Sequence, residues 1–112
     1  MRAPARAAAA LAAAVLAAAA GSCASGAGAP RRHEIQIQAF VYNPDTVAAA
    51  PGDTLVFINH DAVPHTATAA GRWDTGEIPA GATRTVVVPS GPAGPFKCAY
   101  HPTMTGVLAA GK

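Results

Sequence analysis

From residue 34 onward, apolar and polar side chains alternate. Glu34-Ile35-Gln36-Ile37-Gln38 has the period-two pattern of a strand with one buried face. Thr54–Asn59 is rich in β-branched and aromatic residues, which predicts a central strand. Shorter strands are predicted at Thr46–Ala49 and at residues 65–68, 83–88, 95–98 and 106–110. Turn-forming clusters separate them: Asn43-Pro44-Asp45, Ala50-Pro51-Gly52-Asp53, Pro79-Ala80-Gly81 and Pro89-Ser90-Gly91. This spacing leaves room for no more than a turn or two of helix. Seven or eight strands in about 80 residues predict an all-β fold, a small antiparallel β-sandwich. Pro95 has no N–H to donate, so its strand is expected at an edge or bulged at that point.

The first 29 residues break the pattern. Arg2 and Arg6 precede residues 7–20, which contain only Ala, Leu and Val and have no polar face. A basic start, a short apolar run and small residues after it are the marks of an export signal. The run is also short of the about 20 apolar residues that a bilayer core requires. Ala20-Gly21-Ser22-Cys23 resembles a bacterial lipobox, in which the cysteine becomes the lipidated first residue of the mature protein. Ordinary cleavage after Ala20 is the competing expectation, and it would leave Cys23 a free thiol. Residues 1–23 are therefore read as a signal of lipoprotein type ending at Cys23. Residues 24–32 are read as a flexible tether and residues 33–112 as the folded domain. The expected location is the periplasm or cell envelope, with a lipid anchor at Cys23 if the lipobox is used.

Dividing the chain this way changes what the composition means. The 112 residues are 51% hydrophobic but only 5% aromatic, and alanine, concentrated at the front, supplies more than half of the hydrophobic total. The formal charge of +2 comes from Arg2 and Arg6; without them the charges balance. No basic cluster beyond Arg31-Arg32 could follow a phosphate backbone, so nucleic-acid binding has no support. Within the domain Cys98 has no second cysteine to pair with, so its use must be something other than a disulfide.

A use is suggested by Cys98-Ala99-Tyr100-His101-Pro102-Thr103-Met104. There a thiol, an imidazole and a thioether recur every three residues between two predicted strands. Thiolate and thioether are soft donors and imidazole is borderline, a set suited to copper in both oxidation states. His65 lies at the start of a predicted strand, and a sandwich can bring it to the same pole as a second imidazole. A zinc-binding structural module is the alternative, but it leaves Met104 without a role. His60, beside Asp61, is read as a solvated loop histidine rather than a second metal ligand. His33 is expected to be exposed and Trp73 to pack on a sheet face.

In these residues the chain resembles the cupredoxins, the small type I (blue) copper proteins, and most closely the plastocyanin/amicyanin-type branch. The resemblance covers nearly all of the domain. It rests on Phe40-Val41-Tyr42-Asn43-Pro44 as strand and turn, Pro51-Gly52-Asp53-Thr54, Phe57-Ile58-Asn59, Val63-Pro64-His65-Thr66, and above all residues 96–106. It implies a Greek-key sandwich with one copper ion, held by His65, Cys98 and His101 as equatorial ligands and Met104 as a weak axial one. Thr66 stands where some members carry Asn, so Asn59 is expected to supply part of the brace for the ligand loop. The resemblance further implies a non-enzymatic, monomeric electron carrier. His101 would be its electron port, with Pro102, Pro64 and Val63 forming an apolar rim for redox partner proteins. A copper-handling protein for storage or delivery, without an electron-carrier role, would use the same ligands.

Overall fold

The computed structural model describes residues 28–111. The predicted signal and Cys23 lie outside the described residues. Nine strands follow in order: β1 Arg32–Gln38, β2 Val41–Asn43, β3 Thr46–Ala49, β4 Thr54–Asn59, β5 Thr68–Ala69, β6 Trp73–Asp74, β7 Thr83–Val87, β8 Gly94–Lys97 and β9 Thr105–Ala110. They form a two-sheet sandwich, with orders β2-β1-β4-β7 and β3-β9-β8-β5-β6. Nine is one more than the upper expectation: β2, expected only from the resemblance, is three residues long, and β6, which was not expected, is two.

The expected sandwich is present, and both of its sheets are mixed. β1 runs parallel to β4 and β3 parallel to β9, while the remaining pairings are antiparallel. The parallel pairs follow from the path of the chain. It turns back from β1 into β2 and crosses to the other sheet as β3. After the turn at residues 50–53 it returns beside β1 as β4. Gly52, at φ +93°, makes that turn possible.

The alternation read from the sequence sets the core. Ile35 and Ile37 of β1 and Leu55 and Phe57 of β4 point inward, facing Val47, Phe96 and Leu108 of the second sheet. Each such buried side chain contributes about 1.5–3 kcal/mol. Phe57 stacks on Trp73 at 6.1 Å, and Tyr42 meets Phe96 edge-on at 4.8 Å. Gly106 is required by close packing, because a Cβ there would lie 2.4 Å from the Phe96 ring. β8 pairs with β5 only at Lys97, so the side of Pro95 away from β9 has no ladder to lose.

At the pole where β1 and β4 begin, Asp53 is buried and must satisfy its oxygens. It accepts the Arg31 N–H at 2.9 Å, the His33 ring at 2.8 Å and the Ala50 N–H at 3.0 Å. His33 is therefore not the exposed residue expected; its side chain is 22% exposed and held by Asp53. The Arg31 amide, then His33 and the Ala50 amide, hold the Asp53 carboxyl down at about 2.

Candidate metal centre

Three connections meet at the opposite pole: the two-residue link between β1 and β2, the loop from β4 to β5, and the loop from β8 to β9. Asn59, the buried last residue of β4, fixes the second of these. Its Nδ2 donates to the carbonyls of Val63 at 2.9 Å, Ile78 at 3.0 Å and Pro79 at 3.3 Å. Its Oδ1 accepts the Asp61 N–H at 2.9 Å. The sequence places His65 at the start of a strand; in the structure that strand, β5, begins only at Thr68, and His65 stands before it in an isolated antiparallel bridge with Ile78. Its ring is fully buried, and Nε2 donates to Asp61 Oδ2 at 2.8 Å, which leaves Nδ1 as the free acceptor.

The three-residue spacing of Cys98, His101 and Met104 has a structural cause. His101 N–H donates to Cys98 O at 3.3 Å and Met104 N–H to His101 O at 2.8 Å, giving two successive turns. Cys98 N–H then closes the loop on Met104 O at 3.0 Å. This geometry places His101 Nδ1 3.6 Å from Cys98 Sγ, while His65 Nδ1 lies 3.7 Å from the same sulfur. One donor atom from each of His65, Cys98 and His101 lies within 4.8 Å of the others. Cys98 and Met104 are buried, and His101 is half-buried.

Thr66 braces this loop, the role expected in part of Asn59. Its Oγ1 accepts the Ala99 N–H at 2.8 Å, and its own N–H points at Cys98 Sγ at 3.3 Å. Asn59 instead supports the loop before His65. The short Thr hydroxyl suffices because β5 and β8 approach closely at Thr68 and Lys97. Tyr42 supports Thr66 from the core by donating its hydroxyl to the Thr66 carbonyl at 2.6 Å. Burial, and secondarily Cys98, push the Tyr42 phenol far above its usual range, so it stays a donor. On the outside, Tyr100 donates to Glu77 at 2.9 Å.

His60 is exposed and bonded to Gln36, apart from the cluster, as the sequence suggested. Its neighbour Asp61 is a functional residue that sequence reasoning missed. Burial works against the Asp61 carboxylate, but the Phe40 N–H, the His65 ring and the Ala39 N–H hold its pKa below the ordinary value. Phe40 was missed as well. It had been read as part of a strand, yet its ring stands edge-on to His65 at 5.0 Å and to His101 at 4.8 Å.

Two imidazoles and one thiol converging inside a mixed two-sheet sandwich define a small metal-binding protein of the cupredoxin type. The softness of the set, with Met104 buried on the same loop, fits copper better than zinc. The model of the cupredoxin-like domain family matches residues 7–110, and the chain belongs to that family. Comparison with curated proteins finds no match. Among solved structures, an oxidised amicyanin variant is 20% identical with a TM-score of 0.63, covering 70% of this chain and 81% of that one. A second oxidised amicyanin variant, also 20% identical at 0.63, covers 82% and 89%. A purple cupredoxin from Nitrosopumilus maritimus is 19% identical with a TM-score of 0.60, covering 70% and 98%. At these identities the likeness establishes the fold.

Proposed function

We propose that this chain is an exported one-electron carrier that holds one copper ion through His65, Cys98 and His101, with Met104 as a weak fourth ligand. The observation that carries this reading is the convergence of two imidazole Nδ1 atoms on one buried thiol. Bound copper supplies a Cu(II)/Cu(I) couple that accepts or releases one electron. The protein's own part is to fix the donors in advance. Asp61 sets the His65 tautomer, the double turn fixes Cys98 against His101, and Thr66 ties that turn to the sheet. Little then has to move when the charge at the site changes.

Of the three clustered donors, His101 is nearest to solvent, which suits it as the electron port. Phe40, which stands against His101, and Val63, Pro64 and Pro102 are all exposed, and in this reading they form an apolar rim for a redox partner. With balanced charge in the domain, docking is expected to be short-ranged and weakly salt-dependent. The basic, Ala-rich front and the lipobox-like residues before Cys23 support export and anchoring. The small size and the fully protein-derived ligand set favour a monomeric carrier over an enzyme. The test is to load the protein with copper and measure both its visible spectrum and its electron exchange with a small redox dye. An intense thiolate-to-copper band and rapid one-electron cycling are expected. Fast loss of copper to a chelating acceptor, without a redox change, would favour copper storage or delivery instead.

A further inference from the structure

A two-residue hairpin with positive φ at both positions is normally built from Asn-Gly, Asp-Gly or Gly-Gly. The hairpin between β1 and β2 builds it from Ala39 at +55° and Phe40 at +62°, between the paired residues Gln38 and Val41. A bulky side chain in that region is strained. The restraint comes from a distant part of the chain: Asp61 Oδ1 accepts the Ala39 N–H at 2.7 Å and Oδ2 the Phe40 N–H at 2.9 Å. The same Oδ2 accepts the His65 ring N–H at 2.8 Å. Asp61 is in turn anchored through its own N–H to Asn59. The strained turn lays the Phe40 ring edge-on across both histidines, although Phe40 itself is 45% exposed.

We infer that Asp61 is a positioning residue that locks two things with one carboxylate: the strained Ala39-Phe40 turn, which makes Phe40 a lid over the cluster, and the ring orientation of His65. Cys98 lies behind that lid with no exposed surface. If the turn relaxed to negative φ, the hairpin would change its twist and carry Phe40 off the histidines. The inference rests on the proposed metal site for its second readout only; the lid is tested without metal.

The first readout is the rate at which a neutral disulfide reagent modifies Cys98 in the metal-free full chain. Mass mapping of the Cys98 peptide keeps Cys23 from contributing. Asp61→Ala, which removes both hydrogen bonds to the turn, is expected to raise the rate at least about tenfold, the scale of a single charge-assisted hydrogen bond. Adding Ala39→Gly, which removes the strain at position 39 but not at Phe40, should slow the rate part of the way back toward the parent. Val47→Ala, a core change away from the turn, measures how much modification comes through global unfolding. If Asp61→Ala does not fold, Asp61→Asn takes its place and keeps one acceptor oxygen. The second readout is the visible band of the copper-loaded variants. Ala39→Gly favours the closed turn but does nothing for the His65 hydrogen bond, so a band shifted in Asp61→Ala should stay shifted in the double variant. A Cys98 rate no faster than that of Val47→Ala, or no slowing by Ala39→Gly, would overturn the inference. A parent protein with no visible band would contradict the copper reading and leave the thiol result standing.

Discussion

Replacing Tyr42 with Phe removes one oxygen atom from the core and nothing else. The hydroxyl is buried and donates at 2.6 Å to the Thr66 carbonyl, and Thr66 holds Cys98 Sγ and the Ala99 amide. Leaving that carbonyl unpaired in the interior costs about 1–3 kcal/mol. For a domain of this size, each kcal/mol lowers Tm by about 4–8 °C, so a fall of roughly 5–20 °C is expected. The sign of the pH dependence is also fixed. Burial raises the folded phenol above its unfolded value of about 10, so its stabilisation is complete below that pH and declines as pH rises further. Above pH 10 the unfolded parent releases a proton that the folded parent keeps. The gap between parent and Tyr42→Phe should therefore narrow by about 1 kcal/mol between pH 10 and 11. Urea unfolding of the metal-free proteins, followed by Trp73 fluorescence from pH 8 to 11, measures both quantities. A loss below about 0.5 kcal/mol at pH 8, within the range of a neutral surface change, would show that the Tyr42 hydroxyl does not hold Thr66 in this way. So would a gap that stays constant above pH 10.

Three further outcomes follow from individual contacts. Gly106→Ala would place a methyl 2.4 Å and 2.7 Å from two Phe96 ring carbons, and overpacking of this kind costs about 1–3 kcal/mol. In urea unfolding the double variant Gly106→Ala/Phe96→Leu should therefore lose less than the sum of its two single changes. Thr66→Val keeps the shape of the side chain but removes the acceptor for the Ala99 amide. Amide exchange at Ala99 should speed up about tenfold, and an unchanged rate would show that the brace lies elsewhere. Asp53 is ionised down to about 2 in the folded chain, so its stabilisation is present above the ordinary carboxylate pKa and lost as pH falls through that value toward 2. The stability gap between parent and Asp53→Asn should shrink over that window, whereas a pH-independent gap would contradict the role given to its hydrogen bonds.

What the sequence made legible was the part governed by local pattern. Period-two alternation at Ile35 and Ile37 and the β-branched run of β4 gave the sandwich, because core-facing residues must repeat with the pleat. The spacing of Cys98, His101 and Met104 was equally readable, since each interval is a single hydrogen-bonded turn. The remainder was fixed by partners distant in the chain. Nothing in the dipeptide Ala39-Phe40 indicates a turn with positive φ; the conformation is held by Asp61, on the loop after β4. Thr66 looked like the loss of a brace because its hydroxyl is shorter than an Asn side chain, and only the closeness of the two loops shows that it reaches Ala99. His33 looked solvent-exposed because its partner, Asp53, sits in the turn before β4. The parallel pairings depend on the crossing of β3 to the second sheet, which alternation cannot report.

In the proposed function, Cys98, His65 and His101 hold copper as a thiolate-bound redox centre. The deciding measurement is the visible absorption spectrum of the copper-reconstituted protein, recorded beside that of Cys98→Ser. The parent should show an intense thiolate-to-copper band that bleaches on one-electron reduction, returns on oxidation and is missing in Cys98→Ser. A colourless copper adduct, or a band that survives Cys98→Ser, would contradict that assignment.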